Sequence, residues 1–297
     1  MTPRALAYLL AANFLGGSSY VATARALEGA TPAVLSFWRL LIGAVVFLPF
    51  VVRGLRRMRP SAREWLGMAG VGVFGLAAPL VLGALGQTMS TATNASLLIG
   101  MEPLSVVVMS ALFLGEEFSL LKGGAVALGL AGSSIIVLQG PPWAAALAPH
   151  WRGDLLLALQ GFLWALYSVI GKPVLRRVDP MTFCGLTTLI ALPVVALGAL
   201  RDGIHVPAAH LGAVAYLALG VTVLGVVTWN KALEEVPASL LANFIFLQPL
   251  IGVVLGVLIL GDPFTRWSAL GGATIMGGVY LATFQKAPGK AAELALQ

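Results

Sequence analysis

Cysteine and charge are what this chain has least of. Cys184 is its single cysteine, which excludes an internal disulfide framework and any zinc site built on paired cysteines. Only 10% of the residues are charged, against about 25% in soluble globular proteins. Two soluble domains of this length would have too few charges to cover their surfaces. Histidine is scarce as well, and His150, His205 and His210 show no metal-ligand spacing. There is no Walker A sequence, so ATP-driven chemistry by this chain is not expected. Gly70-Val71-Gly72-Val73-Phe74-Gly75 fits G-x-G-x-x-G, but no strand precedes it and no acidic residue follows about 20 positions on. No Ser/His/Asp arrangement is discernible, and no carboxylates pair at catalytic spacing within an apolar run. Neither an enzyme nor a cofactor or metal site is expected.

What the chain does have is apolar length. Hydrophobic residues make up 59% of it, with a mean hydropathy of +0.93. Its 35 glycines suit transmembrane helices better than soluble ones. Ten runs can cross a hydrocarbon core of ~30 Å as helices: 5–24, 33–52, 65–85, 93–114, 120–138, 154–172, 181–200, 211–229, 238–260 and 267–285. Arg4, an apolar run and Ala22-Thr23-Ala24 resemble a cleavable secretory signal. The run is long for a signal core, and its place in the repeat described next favours a retained first span.

The sequence says the same thing twice, about 148 residues apart. Phe14-Leu15-Gly16 and Thr31-Pro32 answer to Phe162-Leu163-Trp164 and Asp179-Pro180. Met101-Glu102-Pro103-Leu104 answers to Leu247-Gln248-Pro249-Leu250, and Leu114-Gly115-Glu116 to Leu260-Gly261-Asp262. Each copy holds five runs, an odd number, so the second must enter the membrane from the opposite side. The expected fold is an all-α integral membrane protein of ten transmembrane helices, two inverted five-helix repeats around a central cavity. The expected units are residues 1–139, a periplasmic linker over 140–152, residues 153–286 and a cytoplasmic tail over 287–297.

With a cytoplasmic N-terminus, thirteen Lys and Arg fall in inner segments and four in outer loops, while Arg39 lies within a span. That bias places both termini in the cytoplasm. It also spends the formal charge of +6 on topology, so nucleic acid is not needed as a partner. The expected partners are the bilayer and a small-molecule substrate, with protons as a candidate coupling ion and a monomer favoured.

Charged residues inside a span cost roughly 2.5–3.5 kcal/mol on insertion scales and face a cavity or a partner. Glu102 sits near the centre of the fourth run and Arg39 in the outer half of the second. Three roles stay open for Glu102: proton exchange coupled to transport, contact with a cationic substrate group, or a structural contact. Arg39 is either an anchor for a substrate carboxylate or a structural bridge. Pro103 leaves the carbonyl of Ile99 without its helical partner, and Pro249 does the same to Ile245; both are read as helix hinges. Gln160, Trp164, Tyr167 and Ser168 share one helical face, as do Asn13, Gly16, Gly17 and Tyr20. Thr91, Asn94 and Glu102 share another, and Phe244, Gln248, Gly252 and Gly256 a fourth. Polar groups among aromatics suit a mostly apolar pocket with a few orienting groups. Ordinary helix packing competes for each residue singly, and intramolecular packing is the favoured use of the small-x-x-x-small pairs. Trp38, Trp65, Trp143, Trp151, Trp229 and Trp267 lie near span ends and read as interfacial anchors.

Taken in order, Phe37-Trp38-Arg39-Leu40, Glu102-Pro103-Leu104, Leu114-Gly115-Glu116, Gln248-Pro249-Leu250 and Leu260-Gly261-Asp262 resemble the drug/metabolite transporter superfamily, specifically its bacterial EamA-type exporters. The resemblance covers nearly the whole chain. It implies a basket of ten helices with the fifth and tenth peripheral. It also implies export of small metabolites across the bacterial inner membrane, with the aromatic amino-acid exporter branch as the nearest likeness. Efflux of lipophilic cations and exchange of phosphorylated metabolites are the alternatives, and a membrane enzyme or scaffold a more distant one. The second copy departs from the pattern, with Thr187 at the repeat partner of Arg39 and Gln248 at that of Glu102.

Overall fold

A computed structural model describes residues 2–115, 118–139, 149–175, 177–235 and 247–283. Every regular element among them is helical. The first copy comprises α1 (Pro3–Leu27), α2 (Pro32–Arg57), α3 (Ala62–Thr88), α4 (Ala92–Phe113) and α5 (Leu120–Leu138). The second comprises α6 (Trp151–Leu175), α7 (Pro180–Asp202), α8 (Ala208–Trp229), α9 (Leu247–Leu260) and α10 (Arg266–Thr283). Eight of these ten are long and apolar enough to cross a membrane. The described part of α9 is shorter, because residues 236–246 fall outside the described set, as do residues 140–148 of the expected linker and the tail.

The repeated strings turn out to be helix punctuation. Thr31 and Asp179 cap α2 and α7 by accepting the backbone N–H of Val34 and Thr182, and Pro32 and Pro180 follow at the first helical position. There a missing N–H costs nothing and the fixed φ suits the helix. Gly115 and Gly261 close α4 and α9 with φ of 67° and 69°, a left-handed cap that a side chain would strain. A third match was not legible beforehand. Val71–Ala77 of α3 and Tyr216–Gly225 of α8 are both π-helical, and a shift of 148 residues superposes their C-terminal ends. The glycine-rich string at 70–75 is thus largely a widened stretch of helix, not a phosphate loop.

The helices close into a ring of eight through the interfaces α1–α8, α8–α2, α2–α7, α7–α3, α3–α6, α6–α4, α4–α9 and α9–α1. Exchanging α1 with α6, α2 with α7, α3 with α8 and α4 with α9 maps this order onto itself. The pseudo-two-fold axis therefore passes between α2 and α7 on one side and between α4 and α9 on the other. That is the signature of an inverted pair. α5 and α10 stand outside the ring and pack on each other. Gly132 and Gly271 let them meet there, since a Cβ on either would lie 2.6 Å from the other's carbonyl oxygen.

The two halves are not in equivalent positions. The C-terminal half of α3, Ala78–Thr88, packs on α6 and also reaches across to α1 and α2. Its repeat counterpart, Val226–Glu235, packs on α1 and makes no comparable interface with α6 or α7 among the described residues. One end of the ring is closed and the other is not. At the closed end a buried cluster of Ala26, Val34, Leu35, Ala84, Val214 and Leu217 fills the axis.

A cavity on the pseudo-two-fold axis

The ring encloses a cavity of about 820 Å³, near the upper end of the ~300–1,000 Å³ typical of small-molecule sites. All eight ring helices line it, and α5 and α10 contribute nothing. It runs from Thr23, Ser36 and Gln87 near the closed end to Lys172, Leu175, Pro180 and Trp229 at the ends of α6, α7 and α8. The mouth is therefore on the face that carries the N-terminus and the α6–α7 turn.

Of the residues singled out in the sequence, Tyr20, Arg39, Glu102, Gln160, Trp164, Tyr167 and Gln248 line this cavity. Asn13 and Asn94 do not. Asn13 is fully buried, with its amide donating to the Leu9 carbonyl at 2.8 Å. Asn94 turns away because Asp154 takes its amide at 3.1 Å and 3.3 Å. Both sit on the faces expected of them, but a helical face spans more than one neighbour, and a packed helix claimed these two. Phe244 lies outside the described residues.

Arg39 and Glu102 do not meet. Their helices stand on opposite sides of the ring, one at each pole of the axis, and no ion pair joins them among the described residues. Arg39 instead crosses to α8, where its Nε and Nη2 each donate to Thr222 Oγ1 at 3.3 Å. The π-helical stretch makes this possible. Thr222 donates its hydroxyl to the carbonyl of Leu217, five residues back, at 3.0 Å, and so presents its lone pairs to the guanidinium. In the repeat-related place Thr187 also lines the cavity, its hydroxyl held by the Phe183 carbonyl at 2.9 Å.

At the other pole α4 is broken. Ala92–Leu98 ends at Ile99 and Gly100, and a new helix starts at Met101. The expected orphan carbonyl is not found: Ile99 accepts the N–H of Glu102 at 2.8 Å in a tighter turn. Pro103 then falls in the first turn of the lower half, where its absent N–H has no partner to lose. Pro249 is the third residue of the described part of α9, and Ile245 lies outside the described residues. Glycines seat two of the cavity's amides, Gln248 and Gln160. A Cβ on Gly16 would meet the Gln248 side chain at 2.7 Å, and Gly83 faces the Gln160 amide as closely. Between the poles Trp164, Tyr167 and Phe183 stack edge to face, with centroids 6.2 Å and 5.6 Å apart, a geometry aromatic pairs prefer. The Tyr167 hydroxyl lies 3.4 Å from Cys184 Sγ. Trp229, expected at the membrane interface, is at the cavity mouth instead.

Sequence reasoning missed Thr222, Lys172, Ser36 and Thr188, which also line the cavity. It also missed Asp154, fully buried at the closed end against Ser90 and Asn94. Asp154 opens the sixth run, and no motif or spacing in the sequence singles it out. Among the described residues no group of His, Cys, Asp and Glu could hold a metal ion.

The model of the EamA-like transporter family matches this chain twice, over residues 3–138 and 151–284. An uncharacterized transporter of Archaeoglobus fulgidus is 28% identical, over 86% of this chain and 89% of its own. A probable terminal-alkyne amino-acid exporter of Streptantibioticus cattleyicolor is also 28% identical, over 89% and 88%. The uncharacterized inner membrane transporter YedA of Escherichia coli is 26% identical over 94% and 90%. One solved crystal structure superposes with a TM-score of 0.61 at 21% identity, covering 94% of this chain and 96% of that one.

Proposed function

The chain belongs to the EamA-like transporter family, and on that premise we propose that it exports amino acids or similar small metabolites across a bacterial inner membrane by alternating access. One observation carries the reading. The cavity on the axis between the copies is closed at one end by the outer half of α3 and reaches the helix ends at the other. The surplus of Lys and Arg on the open side favours a cytoplasmic location for both termini and the mouth, in which the cavity would face its substrate pool. Exchanging the conformations of the two copies through the pseudo-symmetry would close Val226–Glu235 over the mouth and withdraw Ala78–Thr88 from α1 and α2. The lining suits an amino acid or a relative of one: apolar and aromatic walls, two seated amides, and one charge of each sign at the poles. The named substrate of the Streptantibioticus relative favours the same class. Aromatic or broad-range specificity fits Trp164, Tyr167 and Phe183. Each cavity is complete within one chain, which favours a working monomer. Residues 1–139 and 153–286 are the two five-helix repeats, joined by the periplasmic linker 140–152, and within them α3 and α8 are the helices that exchange places.

A second reading rests on Glu102, the only acidic residue in the described lining. It makes Glu102 the counter-charge for exported lipophilic cations. Purified protein in liposomes separates the two. Counterflow of labelled amino acids is expected, and its absence for every amino acid would overturn the substrate class. Glu102→Gln losing cation flux while keeping amino-acid flux would assign the carboxylate to cations. Flux that ignores a pH gradient would remove protons, and with them a coupling role for Glu102.

A further inference from the structure

The geometry points to an extended zwitterion as the preferred cargo of this cavity: a short peptide, with its C-terminal carboxylate at Arg39 and its N-terminal ammonium at Glu102. This rests on the exporter reading and sharpens its substrate class. The two charges stand at opposite poles of an eight-helix ring, on α2 and α4. With neighbouring helix axes 8–10 Å apart, opposite axes in such a ring are roughly 20 Å apart, which leaves on the order of 10 Å between the two charged groups after both reach inward. One α-carbon carries its ammonium and carboxylate far closer together than that. A free amino acid can satisfy one pole at a time. Two charge-assisted contacts of about 2.8 Å take up roughly half of that gap. Extended peptide advances about 3.5 Å per residue, so a dipeptide bridges the remainder and a third residue is the most it can take.

Each pole is built to take a charge. Arg39 spends two N–H groups on Thr222 and keeps three of its five donors, held in a fixed plane. No carboxylate pairs with it among the described residues, and a cation inside a span is costly without a counter-charge, which a ligand carboxylate would supply. Glu102 faces it with Tyr20 and Gln248 on the neighbouring helices α1 and α9. The remaining charge in the lining is Lys172, at the mouth on α6, off the line between the poles. The repeat supports the polarity: Thr187 and Gln248 stand where a symmetric pair of charges would have put a second Arg and a second Glu. The volume of about 820 Å³ is also generous for one amino acid.

An oligoglycine ladder isolates charge separation at constant chemistry. Glycine, diglycine, triglycine and tetraglycine are titrated against purified protein in detergent, read as thermal shift, and then tested as competitors of amino-acid counterflow in liposomes. Apparent affinity is expected to rise at least ten-fold from glycine to the two- or three-residue peptide and to rise no further with tetraglycine. C-terminal amidation should weaken binding to wild type but not to Arg39→Gln, and N-acetylation should weaken it in wild type but not in Glu102→Gln. Thr222→Val keeps the Arg39 charge, unfastens it, and should lose part of the carboxylate preference. Glycine binding as tightly as triglycine would overturn the proposal. So would amidation costing Arg39→Gln as much as wild type, with Lys172→Gln abolishing that cost. Labelled amino acids that exchange while peptides neither bind nor compete would sink the peptide inference and leave the exporter reading standing. Absence of both binding and exchange would remove the two together.

Discussion

Asp154→Ala is expected to shift the protein away from the state described above and to slow thiol labelling of Cys184 from the cytoplasmic side by about ten-fold or more. Asp154 is fully buried at the closed end of the ring. Its carboxylate accepts from Ser90 and from the amide of Asn94, tying the second copy to the outer half of α4. A second acid works on the same short helix, since Asp262 Oδ2 accepts the Thr93 N–H at 2.8 Å. Thr31 to Asp202 at 2.6 Å and Trp38 to the Ile204 carbonyl at 2.9 Å add ties between copies at this end. The latch reading requires these contacts to break when this end of the ring opens. Removing the acceptor leaves buried donors unsatisfied, at about 1–3 kcal/mol, and each 1.4 kcal/mol is a factor of about ten in the ratio of the two states. Cys184 is the single cysteine and lies in the cavity wall one turn from the start of α7. An outward shift closes the mouth over it, so labelling by an impermeant maleimide in inside-out vesicles slows. Unfolding would speed the same reaction, which keeps a damaged variant distinguishable from a shifted one. Ser90→Ala, which removes one donor and leaves the rest, should move labelling in the same direction by less. Unchanged labelling in a folded Asp154→Ala protein would show that the cluster is no latch.

The parts of this molecule legible in the sequence were those set by local rules. Apolar length gave the spans, and the Thr31-Pro32 and Asp179-Pro180 strings gave true helix starts because capping is decided within four residues. The odd number of runs per copy implied the inversion. Seven of the cavity residues were readable because polar and aromatic side chains in a span have few other uses. What stayed hidden depends on partners far along the chain. Thr222 is one of many hydroxyls in apolar helix, and only a π-helical stretch aims it at Arg39. Nothing singles out Asp154 until Ser90 and Asn94 are seen against it. Asn13 and Asn94 looked like cavity residues because helical phase gives a direction, not a neighbour. Whether Arg39 and Glu102 touch was likewise undecidable from order and spacing, since it depends on which helices adjoin in the ring.

The glycines show the same limit, and they yield a sharp contrast. Gly252→Val is expected to lower the thermal midpoint in detergent strongly and to cut the yield of folded protein, while Gly277→Val should change neither measurably. Both belong to small-x-x-x-small pairs, and the sequence treats them alike. In the structure Gly252 faces Ser96 on the buried upper half of α4, with the Ser96 hydroxyl 2.8 Å from where a Cβ would sit and the Gly17 carbonyl at 3.3 Å. Gly256, one turn on, meets Thr93 at 2.6 Å and Asp262 at 3.1 Å. These two glycines are what allow α9 of one copy to lie against α1 and α4 of the other, at the pole that holds Glu102 and Gln248. All seven residues of Ala92–Leu98 are buried, so Ser96 has nowhere to retreat. Overpacking of this kind costs about 1–3 kcal/mol, and more when backbone must shift. A Cβ on Gly277 meets nothing within 4 Å, because that side of α10 looks out of the ring. Its neighbour Gly278 makes the close approach instead, 2.6 Å from the Ala125 carbonyl. Equal destabilisation by the two valines would mean that α9 does not sit on α4 as described, and the placement of Gln248 beside Glu102 would fall with it.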